Sequence, residues 1–419
     1  MTTTATHQTV LEPLGPRFTA LLTTTGLANL GDGIVQMGAP LVALTLTRSP
    51  GQISLLAAAT WLPWLLLGLV GGVVVDRTDR RSAQVVALLA RAALLAAGTW
   101  AALADALTMP VLVGLVLLYG ITEVFADLAQ TSLVPDLVPR SRLQAANGRV
   151  LAVQQVCNAF VGSPLAGAML ALGTGWVFGV PAAMAVVAVV VLVRGVRGGY
   201  RPQRTTTRPA ADVREGVRYV AHHPVLRTFV VTGGVMNMAS TAYFAVFVLW
   251  VVGDGSRVGM RAEHFPLLTA VLAVGAVAGS LLTERLVRTL PELAVMYACW
   301  FACVPLMLVP VLFPTIPALS VAMFFLGLTN TVGNTISQSL RQRIVPRALL
   351  GRTSGAGRTL AYGLMPLGAV VGGLVAEHAG LPTLFVGATV VTGLATLYPA
   401  LTVSRRTVEV AERANTDLA

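Results

Sequence analysis

Three carboxylates lie inside long apolar runs. Asp32 sits near the middle of the run 18–42, and Glu123 and Asp127 sit four apart in the run 110–133. An ionised acid at mid-bilayer costs roughly 2.5–3.5 kcal/mol on insertion scales. It persists there only if it faces a bundle interior, finds a partner or takes up a proton. Asn29 and Gln36 flank Asp32 at helical spacing and would share its face. Asp32 and Glu123 are therefore the candidates for a proton-carrying carboxylate. The alternative for Asp32 is a structural acid paired within the bundle. The alternative for Glu123 is an ion pair with Arg91, in the run 83–105.

Polar side chains recur on one face of several other apolar runs. Gln154 with Asn158, Asn237 with Thr241, Asn330 with Asn334 and Gln338, and Arg358 with Tyr362 each recur at a four-residue spacing. Such stripes either line a substrate-binding cavity or bond helices together at ~0.6 kcal/mol per contact. Cys157, Cys299 and Cys303 lie in apolar runs as small buried hydrophobes, without metal-ligand spacing. The five His residues fall in tails, loops or run ends, and the chain has no Lys, so a lysine-dependent phosphate loop is excluded. The expectation is no enzyme, no metal and no cofactor.

The elements that must hold these residues follow from composition. Of 419 residues 55% are hydrophobic and 11% charged, well under the roughly 25% charged share of soluble domains. A membrane span needs about 20 mostly apolar residues. Twelve such runs are present, near 18–42, 52–75, 83–105, 110–133, 145–171, 175–194, 226–253, 265–286, 292–313, 316–338, 354–377 and 381–403. Lipid forces them to be helices, so the fold class is an all-α membrane protein. The segment MTTTATHQTV lacks a basic start and a cleavage site, so the first run is expected to be a retained span.

All 29 basic residues are Arg, and they fall almost entirely on alternate connections. This asymmetry places both termini (1–17 and 404–419) in the cytoplasm. It also assigns the net charge of +11 to membrane orientation, with lipid and not nucleic acid as the partner. A basic stretch, 195–225, divides the chain into 18–194 and 226–403.

The two parts repeat. Asp76-Arg77 with Arg80 recurs as Glu284-Arg285 with Arg288, offset by 208, and Ser132-Leu133 with Pro139-Arg140 recurs 207 residues on as Ser339-Leu340 with Pro346-Arg347. Gly68 and Gly72, and likewise Gly275 and Gly279, precede the charged stretches as pairs spaced for close helix approach. One six-helix unit used twice is the usual build of a transporter.

Gly72, Asp76, Arg77, Arg80 and Arg81 match the Gly-x-Leu-x-Asp-Arg-x-Gly-Arg-Arg signature, with Val74 for Leu and Asp79 for the second Gly. With twelve spans and a long basic central loop, the chain resembles the major facilitator superfamily. Asn29-Leu-Gly-Asp32-Gly, Leu133-Val-Pro135-Asp136-Leu-Val-Pro139-Arg140 and Gly162-Ser-Pro164-Leu-Ala-Gly167 resemble its exporter branch of macrolide-efflux and enterobactin-exporter-like proteins. Two departures stand out. Ser163 separates Gly162 from Pro164 and Ala168 replaces the last Gly of the span 5 antiporter signature, and span 4 lacks the Arg common in drug–proton antiporters.

The resemblance implies two six-helix bundles that alternate access to a central site. It implies a cytoplasmic latch in which Asp127 joins Asp76 and Arg80, with Glu284, Arg285 and Arg288 as the second-half copy. It further implies a monomeric exporter, exchanging protons for an amphipathic or cationic small molecule such as a drug, antibiotic or siderophore, in a bacterial cytoplasmic membrane. Uptake or facilitated diffusion on the same fold is the alternative, and a non-transporting receptor a more distant one.

Overall fold

The computed structural model describes residues 14–75, 77–200, 209–345 and 362–416. Hydrocarbon offers no partner to a free peptide N–H, so the apolar runs close their hydrogen bonds internally as helices. Before the central stretch these are α1 (Gly15–Leu46), α2 (Pro50–Val75), α3 (Arg80–Leu103), α4 (Met109–Leu137), α5 (Leu143–Gln155), α6 (Ser163–Leu172) and α7 (Thr174–Gly195). After it come α8 (Pro209–His222), α9 (Pro224–Val251), α10 (Phe265–Thr289), α11 (Glu292–Leu312), α12 (Ile316–Ile344), α13 (Met365–Ala379), α14 (Leu381–Thr402) and α15 (Arg405–Thr416). Eleven of the described helical segments are long and apolar enough to cross a membrane, with α5 and α6 forming one crossing. The protein is thus a multi-pass membrane protein. The expected span 354–377 begins outside the described residues, and α13 is its described part.

The duplication holds in three dimensions. Helices α4 and α12 coincide at both ends under an offset of 207, as do α7 and α14. The turns entering α7 and α14 each use a glycine with positive φ, Gly173 at 133° and Gly380 at 86°, again 207 apart. A side chain at either would be strained there, so the tight turn selects glycine.

One buried apolar cluster, including Leu41, Tyr119, Tyr243, Phe247, Trp250 and Phe385, is continuous across both halves near the Arg-poor end. At the Arg-rich end the apolar core divides. Phe18, Leu88, Leu133 and Leu192 belong to one cluster, and Phe229, Met296, Leu340 and Ile344 to another. Polar contacts reinforce the joined end. Arg48 donates from Nη1 to the Val252 carbonyl at 2.8 Å, and Glu377 accepts from the Gly51 N–H at 2.9 Å and the Ser49 hydroxyl at 3.0 Å. The halves are closed at one end and part towards the other.

The expected glycine pairs differ between halves. A Cβ on Gly275 or Gly279 would overlap the carbonyl oxygens of Phe324 or Leu328, so α10 and α12 touch backbone to backbone. Among the described residues a Cβ on Gly68 or Gly72 would meet nothing within 4 Å, so no close approach is made at this pair.

Candidate functional site

Close backbone packing fixes the height and rotation of α1. A Cβ on Gly33 would overlap the Asn158 carbonyl oxygen, and one on Gly162 would crowd the Leu30 carbonyl. The backbone widens into a π-turn over Val156–Gly162. Pro164 follows it, and a proline has no N–H to return to the previous turn. This contact line aims Asp32 away from α5 and towards α3 and α4.

There Asp32 meets Arg91. Arg91 Nη1 donates to Asp32 Oδ1 at 2.6 Å, and the Tyr119 hydroxyl donates to the same oxygen. The Arg91 guanidinium also lies 4.8 Å from the Tyr119 ring centre. Asp32, Arg91 and Tyr119 are 6%, 3% and 5% exposed, so the pair is buried. The ion pair weighed in the sequence was Glu123 with Arg91; the structure pairs Arg91 with Asp32 instead.

Glu123 is half-buried, and among the described residues no hydrogen bond or ion pair to it is found. It lies within electrostatic reach of Asp32, Arg91 and Asp127. Asp127, one turn on, accepts from Gln154 Nε2 at 3.3 Å. Asn29, Asp32, Arg91, Glu123 and Asp127 line a cavity of about 260 Å³, whose aromatic wall is Trp61, Trp64 and Tyr362. Trp61 and Tyr362, from opposite halves, approach to 6.0 Å between ring centres.

Tyr362 also lines a larger cavity of about 610 Å³ in the second half. Asn237, Asn330, Asn334 and Gln338 face it, with Arg341. Asn330 and Asn334 stand 207 residues after Glu123 and Asp127, so the repeated position is acidic in one half and amidic in the other. Gln36, Gln154, Asn158 and Thr241 line neither of these two cavities.

The expected latch is wired differently. Arg80 Nη1 reaches Asp136 Oδ2 at 2.7 Å and the Ser132 carbonyl at 3.1 Å, where an Asp127 partner was expected. Arg81 Nη2 donates to the Val193 carbonyl at 3.0 Å, and Arg77 is exposed. Asp76 lies outside the described residues. In the second half Glu284 pairs with Arg288 on its own exposed turn, beside exposed Arg285. The cause is a charge reversal. The residue 207 after Asp136 is Arg343, which repels a second Arg and binds Glu292 and Glu412 instead.

Asp79, at the motif's departure from glycine, caps α3 through the Ser82 N–H at 2.8 Å and accepts from the Tyr200 N–H at the start of the central stretch. Burial pushes the Asp79 carboxyl up. Hydrogen bonds from Ser82 and Tyr200, with the Arg81 charge, outweigh it and hold the carboxyl below its usual value. Residue spacing does not reveal four parts of this arrangement: Arg91 as the partner of Asp32, the Tyr119 donor, the Arg80–Asp136 pair and the Asp79–Tyr200 clasp. Arg91 did carry a signal, as a lone cation deep in an apolar run.

Residues 9–417 match the family described as transmembrane secretion effector. The chain is 27% identical over 383 residues to the multidrug efflux pump Tap of Mycobacterium tuberculosis, covering 88% of this chain and 89% of that protein. It is 26% identical over 347 residues to the enterobactin exporter EntS of Escherichia coli, covering 81% and 80%. The nucleoside transporter NupG has a similar fold, with a TM-score of 0.75 at 12% identity over 93% of this chain and all of that one. So has a bacterial homologue of the iron transporter ferroportin, with a TM-score of 0.73 at 15% identity over 93% and 99%.

Proposed function

Because the chain belongs to the transmembrane secretion effector family of major facilitator transporters, we propose that it exports an amphipathic or cationic small molecule in exchange for protons. The membrane would be the cytoplasmic membrane of a bacterium, with both termini inside. The observation that carries this reading is Glu123, a carboxylate open to an aromatic cavity beside the buried Asp32–Arg91 pair. Asp32 is held by two donors, and its charge is already matched by Arg91. Among the described residues Glu123 has no such partner, so of the two candidate acids it is the one whose charge can change with the cavity's access.

In the working cycle residues 18–194 and 226–403 rock as two units about the site. Facing outward, Glu123 takes a proton, which removes an uncompensated charge from the low-dielectric cavity. Facing inward, a cationic substrate meets Trp61, Trp64 and Tyr362 and displaces the proton. Ionised Glu123 then draws on Arg91, loosening Asp32. One charge crossing 100 mV contributes ~2.3 kcal/mol, and each pH unit about 1.4 kcal/mol. A single proton therefore suffices for a substrate gradient of roughly tens- to hundreds-fold. The efflux pump and exporter among the relatives support the outward direction.

The test is flux of ethidium into proteoliposomes with an imposed pH gradient, acid inside. Accumulation against the ethidium gradient supports exchange. Flux that only runs downhill and ignores pH gives the facilitator, and no flux across a wider dye and drug panel removes the transport of such molecules.

A further inference from the structure

We propose that the second-half cavity takes the anionic or acceptor-rich pole of the substrate, with Arg341 as the residue that selects it. The inference deepens the export reading and rests on it. It makes the favoured substrate a dipolar amphiphile and not a simple lipophilic cation.

The two cavities that share Tyr362 have opposite chemistry. The first-half cavity is lined by three acids and one guanidinium, and that guanidinium is taken by Asp32. No Asp or Glu lines the second-half cavity among the described residues.

Arg341 is half-buried at the cavity wall and bonds through Nε to the Ser337 carbonyl of its own helix at 3.3 Å. No ion pair to it is found among the described residues. Its remaining N–H groups are open to the cavity, where an anion or several acceptors on a ligand can replace water.

Trp300 lines the cavity at 3% exposure, with its ring nitrogen packed against Gly333, so it forms part of the rigid wall. Asn334 Nδ2 donates to Asn330 Oδ1 at 2.9 Å, which holds both amides in place on the wall. A ligand reaching from Glu123 past Tyr362 would thus meet carboxylates at one end and donors at the other. A ligand that is cationic throughout would meet Arg341 as a like charge.

The experiment compares two dyes of one skeleton. Rhodamine B carries a free carboxylate on a cationic ring system, and its ethyl ester lacks the anion. Binding to the purified full chain in detergent is read by fluorescence anisotropy, and folding by size-exclusion profile. A charge-assisted hydrogen bond supports a preference for the acid of about tenfold. Arg341→Gln should bring the acid-to-ester ratio to about one, and Arg341→Lys should keep part of it. An ester bound as tightly as the acid by the native chain, binding of neither dye, or an unchanged ratio in Arg341→Gln would each overturn the assignment. The export reading is tested separately by pH-driven flux of the ester in the native chain. Export without acid preference sinks only this inference, and acid preference without pH-driven flux sinks only the export reading.

Discussion

Arg91 and Asp32 form a buried ion pair at 2.6 Å that joins α3 to α1, while Glu123, one turn along α4 from the Tyr119 that completes the pair, is left open to the cavity. Two acids share one cation, and only one holds it. This division of roles separates the part of the site that builds the fold from the part that can change its charge.

The pair predicts a stability effect. Removing one partner of a buried ion pair costs about 3–5 kcal/mol, because the other charge stays behind uncompensated. Arg91→Ala should therefore lower the melting temperature in detergent sharply. Asp32→Asn should lower it less, since Glu123 is near enough to take over Arg91. Joining Asp32→Asn with Arg91→Gln should recover most of the loss. A double variant melting as low as Arg91→Ala would show that the pair adds nothing beyond its separate side chains.

The glycine contacts predict a sharp contrast between neighbouring helices. Gly33→Ala places a methyl group on the Asn158 carbonyl and must push α1 from the π-turn Val156–Gly162. Overpacking of this kind costs about 1–3 kcal/mol, and the shift would also move Asp32. Gly68→Ala meets open space and should melt like the native protein. Equal melting temperatures for the two variants would contradict the contact of α1 with the π-turn.

Much of this was legible in the chain. The helices follow from apolar length, and the duplication from a recurrent charged motif whose offset the α4–α12 and α7–α14 pairs reproduce. Asp32 and Glu123 stood out because an acid in an apolar run requires an explanation. Helical spacing, however, reports faces of one helix and not distances between two. It offered Arg91 to Glu123 and did not single out Asp32, and the resemblance misassigned the partner of Arg80. The second-half latch failed for a reason that the repeat offset itself carries. Arg343 occupies the repeat position of Asp136, and the sign of one charge rewires the loop.

The closed end carries its own prediction. Glu377 of one half accepts from Ser49 and Gly51 at the start of α2 in the other. Glu377→Gln weakens a charge-assisted contact across the halves and should open that end more often. A cysteine placed at Thr45, in the adjoining crevice, should then react faster with a membrane-impermeant maleimide. An unchanged labelling rate would mean that the apolar cluster alone holds the closure.

The Asp79 clasp sets a pH dependence. Its carboxyl is held below the usual value by Ser82, Tyr200 and Arg81 despite the opposing effect of burial. A depressed acid stabilises the folded arrangement above its unfolded pKa, near 4, and the contribution is lost as pH falls through the lower folded value. Amide exchange at Tyr200 should show protection that is flat from pH 6 to 8, after correction for intrinsic rates, and absent in Asp79→Ala. Equal protection in that variant would remove the clasp as the tether of the central stretch.

The most direct test concerns Glu123. In proteoliposomes, Glu123→Gln should abolish ethidium accumulation driven by a pH gradient while preserving exchange of labelled for unlabelled ethidium, which needs no net proton movement. Asp32→Asn controls for general damage to the site. Full pH-driven accumulation in Glu123→Gln would contradict the account and return the proton to another group.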